Sequence, residues 1–141
     1  ITDFGTEEVL NKENIIVFPH VGGSTEEAEL NCAIAAGQTI RRFMETGEII
    51  NSVNFPNMKQ FLDAPYRITL INKNVPNIVA SITTAVSELE INIDNIINRS
   101  KGNYAYTLLD LDESDETKIA KLVEKFKATD AITKVRVIKH K

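Results

Sequence analysis

The sequence predicts an α+β protein, a four-stranded antiparallel sheet of ferredoxin-like β-α-β-β-α-β order preceded by a strand and one long helix. Three observations predict it. From Arg67 onward, runs of period two alternate with apolar stripes at spacings of three and four. Their order is strand, helix, strand, strand, helix, strand, which sets two helices on one face of a sheet. Ahead of them, the continuous apolar run Asn14–Phe18 leads into a long helical pattern that stops at Gly47.

The elements follow in order. Ile1–Phe4 reads as the end of a strand, so the sequence looks cut from a longer one, and Gly5–Glu8 reads as a loop. Asn14–Phe18 (NIIVF) has the pattern of a strand buried on both faces, and Pro19 and His20 stop it. Gly22 and Gly23 free the backbone, and Ser24 with Glu27 three residues on matches a capping box. The helix then runs to Thr46, with Gly47 as a left-handed terminator. Ala28, Cys32, Ala35, Ala36, Thr39, Ile40 and Phe43 form its apolar stripe. Asn57–Tyr66 has weak periodicity and Pro65 near its end, so it reads as a linker between residues 1–56 and 67–141.

Arg67–Ile71 is the first strand of the second segment, and Asn72, Lys73 and Asn74 form a polar loop. Pro76 suits a first helical turn, because its fixed φ and missing N–H are least harmful there. Ile78, Ile82, Ala85, Val86 and Leu89 share one helical face. Ile91 and Ile93 begin the next strand, with a bulge at Asp94-Asn95, and Lys101-Gly102-Asn103 is a hairpin turn. Tyr104–Leu111 is a strand. Ser114 or Asp115 caps a helix carrying Ile119, Leu122, Val123 and Phe126, and Val135 and Val137 mark the last strand.

Composition narrows the function. The chain has 141 residues, 43% of them hydrophobic, and a formal net charge of −4. A packed core is expected, and the charge, with no basic stripe interleaved with aromatics, excludes a nucleic-acid module. No apolar run is long enough to span a bilayer, and no secretory signal is present. The single Cys32 rules out an internal disulfide and fits a reducing compartment such as the cytoplasm. His20 and His140 are the only histidines, with no ligand cluster around them, so no metal site is expected.

The run Asp3-Phe4-Gly5-Thr6-Glu7, followed by Pro19-His20-Val21-Gly22-Gly23-Ser24-Thr25-Glu26-Glu27-Ala28 and by Asn51–Pro56, resembles the D-2-hydroxyacid dehydrogenase family. The resemblance makes residues 1–56 the end of a dehydrogenase catalytic region, with Gly22 and Gly23 at the cofactor, NAD. It makes His20 the general acid/base and Glu7 the carboxylate that orients it. Imidazole titrates near neutrality, as that role requires. Gly5 stands where the family usually has proline, and Glu8 is the second carboxylate available. No G-x-G-x-x-G follows a strand, so this chain alone is expected neither to bind NAD well nor to turn over substrate.

The second segment carries a polar loop after its first strand, Pro76 at the following helix and Asn92 opening the second strand. In these it resembles the ACT domain, an amino-acid-sensing module found at the end of some enzymes of that family. The resemblance implies an effector, L-serine or another small amino acid, held between two copies. Asn72 and Asn74 would contact it from one copy and Asn92 from the other. An amide serves both carboxylate and ammonium without a charge to desolvate, and a helix start adds free N–H groups for the carboxylate. Asn72 replaces a histidine of the serine-sensing pattern and Asn77 a glycine. The alternatives are a purely structural oligomerisation module that binds no effector, and loop asparagines that serve only the turn. Either way a homo-oligomer, at least a dimer, is expected.

Overall fold

The computed structural model describes residues 1–140. The chain divides into two compact units, Ile1–Gln38 and one that begins at Thr39. In the second, the strands β1 (Tyr66–Lys73), β2 (Asn92–Lys101), β3 (Tyr104–Asp112) and β4 (Ile132–Lys139) form one antiparallel sheet in the order β2-β3-β1-β4. The helix α1 (Glu26–Thr46) precedes it, and α2 (Ile78–Ser87) and α3 (Glu116–Lys127) connect its strands. This is the ferredoxin-like arrangement expected of the sequence.

Periodicity explains the helix face of the sheet. Ile68 and Leu70 of β1 and Leu109 and Leu111 of β3 meet Ile82 and Val86 of α2 and Leu122 and Phe126 of α3 in one core. Burying each such side chain contributes about 1.5–3 kcal/mol. Asp115 caps α3, its carboxylate accepting from the Thr117 amide at 2.8 Å. The bulge expected at Asp94-Asn95 is present, since pairing with β3 shifts register between Ile93 and Asn95.

The opposite face of the sheet is not open. Ile49 and Met58 pair in an antiparallel bridge and pack with Tyr106 and Leu108 against Phe55, Ile71 and Ile97. Ile49, Phe55 and Met58 therefore contribute to the sheet's second core, and Leu62 of the expected linker is buried while Phe61 is exposed.

Four local expectations need correction. β1 continues through Asn72 and Lys73, because both pair with β3 and the Asn72 side chain finds partners inside the sheet. Helix α2 starts at Ile78, and its N-cap is Asn77 with φ 66°, so Pro76 lies outside the helix. At α1 the hydroxyl of Thr25, not Ser24, accepts from the backbone three residues on, at the Ala28 amide (3.1 Å). Asn14–Phe18 is not a buried strand. Only Val17 bridges Thr2, and Ile15, Ile16 and Phe18 are exposed. A parallel strand needs neighbours on its edges and cover on its faces, and the first unit supplies one partner. The stripe expected on α1 is likewise uncovered, since no residue of that helix is buried.

Candidate functional site

The asparagines cluster where β1 ends. Asn72 is 0% exposed. Its Oδ1 accepts from the Thr107 hydroxyl at 3.0 Å, and its Nδ2 donates to the Lys73 carbonyl at 3.0 Å. The Thr107 oxygen in turn accepts from Asn98 Nδ2 at 2.7 Å. A polar ladder thus crosses β1, β3 and β2 inside an apolar layer. It is stable there because its buried groups are paired. Asn72 is a strand residue facing inward, not a loop residue.

Asn74 is exposed and tied to the β2–β3 turn. Its amide donates to the Asn103 carbonyl at 2.9 Å and its Nδ2 to the Gly102 carbonyl at 3.1 Å. Among the described residues its Oδ1 accepts no hydrogen bond. Asn77 turns the chain into α2 with a left-handed backbone, the conformation that asparagine tolerates better than most residues. Its carbonyl receives the Ser81 amide and hydroxyl at 2.9 and 3.1 Å. No side chain caps that helix start, so its first N–H groups lack the partner a cap supplies.

Asn92 is not brought to Asn74 within one chain. It opens β2 opposite Asp112, whereas Lys73, beside Asn74, pairs with Tyr104 at the far end of β3. The ten residues of β2 separate the two ends of the sheet, roughly 30 Å at strand rise. β2 is an edge strand.

In the first unit, His20 Nδ1 lies 2.7 Å from Asp3 Oδ2, and the Phe4 ring is 4.8 Å from the imidazole. The parallel bridge creates this meeting. The Thr2 amide donates to Ile16 and the Phe18 amide to Thr2, which carries residue 3 alongside the residues before His20. Asp3 is the carboxylate paired with His20, and Glu7 forms no hydrogen bond or ion pair with His20 among the described residues. A Cβ at Gly22 or Gly23 would meet nothing within 4 Å. Among the described residues no group of three His, Cys, Asp or Glu is placed to hold a metal ion, and no helix is long and apolar enough to cross a membrane.

Sequence reasoning missed a second polar node. Arg67 and Asp110 pair on the sheet face away from α2 and α3, with the arginine 0% and the aspartate 2% exposed. The guanidinium donates to Asp110 through Nε and Nη2 at 2.5 and 2.7 Å. Its other protons go to the carbonyls of Thr46 (2.8 Å), Gln60 (2.9 Å) and Phe61 (3.0 Å). Nearby, the Tyr106 hydroxyl donates to the Gly47 carbonyl at 2.8 Å, and Arg136 donates to the carbonyls of Phe43 and Met44. Burial pushes the Tyr106 phenol above its ordinary pKa, a shift that the Thr69 hydroxyl and the charges of Arg136 and Arg67 reduce. The available signal was an arginine and an aspartate in otherwise apolar strands.

Comparison with known proteins places these features. The ACT domain family matches residues 63–136. D-3-phosphoglycerate dehydrogenase 2 of Saccharomyces cerevisiae is 30% identical over 138 residues, covering 94% of this chain and 29% of that protein. D-3-phosphoglycerate dehydrogenase of Escherichia coli is 25% identical over 133 residues, covering 94% of this chain and 32% of that protein. The chain thus spans about a third of the length of these relatives. Among solved structures, the ACT domain from GTP pyrophosphokinase of Chlorobium tepidum aligns with a TM-score of 0.48 at 18% identity, over 52% of this chain and 95% of that one.

Proposed function

Because the chain belongs to the ACT domain family, we propose that its second unit is a regulatory module that binds a small amino acid, with L-serine the first candidate, between two copies of the chain. The observation that carries this reading is the placement of Asn74 and Asn92 at opposite ends of the sheet, with β2 free along its edge. Neither asparagine completes a site in one chain, and a two-fold pair of chains completes two. The exposed Asn74 and the uncapped start of α2 offer an amide and free N–H groups to a carboxylate. Asn92 of the second copy offers an acceptor to the ammonium. Asn72 supports the site from beneath by holding the end of β1.

The whole protein, on this reading, is a cytoplasmic NAD-dependent D-3-phosphoglycerate dehydrogenase that oxidises 3-phosphoglycerate to 3-phosphohydroxypyruvate, the first step of L-serine biosynthesis. The chain is then its C-terminal part, and the effector is the end product of the route. His20 takes the proton of the substrate hydroxyl, while Asp3 or Glu7 orients the imidazole. With the rest of the catalytic region present, a bound NAD would supply the hydride acceptor. This chain alone is inactive, and the exposed stripe of α1 is covered by the parent or by a second copy.

The inward-facing Asn72 and the side chain at Asn77 favour a second reading, an ACT module that assembles chains and senses nothing. Titration calorimetry of the chain against L-serine and a panel of other amino acids, with light scattering in parallel, separates the two. Heat saturating at millimolar serine or below supports the effector. A stable dimer without heat for any amino acid supports the structural module.

A further inference from the structure

Helix α1 ends in an unusual way. A helix leaves its last carbonyls without intrahelical partners, and here the sheet supplies them. Arg67 takes Thr46, Arg136 takes Phe43 and Met44, and Tyr106 takes Gly47. Gly47 itself is pressed onto the sheet at φ 71°, where a Cβ would stand 2.5 Å from Thr69 Cγ2 and 3.0 Å from Ile138 Cδ1. The last turn of α1 is therefore held by β1, β3 and β4 together. One strand reaches both this grip and the asparagine cleft. β1 carries Arg67 near its start and Asn72 near its end, and its pairing with β3 runs without a register shift from Tyr66 to Lys73. Its pairing with β4, in contrast, shifts at Ile71/Asn72. Both polar nodes, Arg67–Asp110 and Asn72–Thr107, join the same two strands.

We infer that Arg67 is a positioning residue for regulation, through which the state of the amino-acid cleft sets how firmly the last turn of α1 and residues 60–61 are docked on the sheet. The inference rests on the amino-acid reading of the cleft. The two states are the docked turn, with the Arg67 donors on Thr46, Gln60 and Phe61, and the released turn, with those carbonyls in water. An effector that orders the Asn72–Asn74 end of β1 favours the docked state, and coupling requires that difference in affinity.

Hydrogen exchange with mass-spectrometric readout on the full chain, with and without L-serine, tests it beside calorimetry. Serine is expected to slow exchange of the amides at residues 46–49 and 60–62 by about fivefold or more, the lower end of ordinary coupling factors. Arg67→Met alone strands the Asp110 carboxylate and risks unfolding. The variant is therefore Arg67→Met with Asp110→Leu, accepted when the β1 and β3 amides keep their protection. That double variant is expected to bind serine within about threefold of the parent chain while losing the serine-dependent slowing. Serine heat in the parent chain without slowing at 46–49 overturns the coupling and leaves the cleft reading standing. Slowing that survives in the double variant overturns the role of Arg67. Absence of heat in the parent chain removes the cleft reading and this inference with it.

Discussion

Asp110 meets Arg67 fork to fork across β1 and β3, and the three guanidinium protons left over end on main-chain carbonyls. All five donors of the arginine are thus used away from solvent. Removing one partner leaves a buried charge. Asp110→Ala is expected to destabilise the chain by about 3–5 kcal/mol, and Arg67→Lys to lose much of the same because three donors replace a planar fork of five. Replacing both by apolar residues costs far less. Urea unfolding followed by circular dichroism reads all three.

Gly47 admits no side chain. Its φ of 71° strains any L-residue, and its missing Cβ would overlap Thr69 Cγ2. Gly47→Ala is expected to destabilise by about 2–5 kcal/mol, the sum of a left-handed backbone and an overpacked contact. The midpoint of a urea titration measures it.

Tyr106 makes part of the stability alkali-sensitive. Its folded pKa lies above the ordinary phenol value because burial disfavours the anion. Its contribution is full below the unfolded pKa near 10 and is lost as pH rises through the folded value. Tyr106→Phe is expected to cost about 1–3 kcal/mol at pH 7.5, since the buried Gly47 carbonyl loses its donor. The variant's penalty should shrink above pH 10, where the parent chain alone loses this contribution. Thermal melts of both proteins at pH 7.5 and 10.5 make the comparison.

Asn74→Ala and Asn92→Ala are each expected to weaken serine binding about tenfold, near 1.4 kcal/mol. Mixing the two variants is the sharper measurement. Half the pairs in an equal mixture are mixed, and each mixed pair holds one site with both asparagines intact. About a quarter of all sites should then regain the parent affinity, as a two-fold shared site demands. Calorimetry of the mixture reads that fraction directly.

The alternation of apolar periods from Arg67 to Val137 made the sheet and its two covering helices legible, because each segment faces the core in only one way. The bulge at Asp94 and the cap at Asp115 were legible for local reasons. Asn72 was not. Asparagine reads as a loop former, and only Thr107, far along the chain, makes its burial tolerable. Arg67 and Asp110 belong to the same class, since each is intelligible only once its cross-strand partner is known. The run at Asn14–Phe18 misled in the other direction. Its composition is that of an interior strand, but hydrogen-bonded neighbours make a strand, and Thr2 is the one bridged to it. Asn74 and Asn92 were legible as polar residues, but their separation at opposite ends of the sheet was not.

On the proposed reading of a cleft shared by two copies, that separation makes the response depend on abundance. With half of each recognition surface contributed by another molecule, a chain diluted below its pairing threshold is deaf to the metabolite at any dose. Ligand and partner then reinforce each other by mass action. Apparent affinity for the amino acid should then rise with protein concentration.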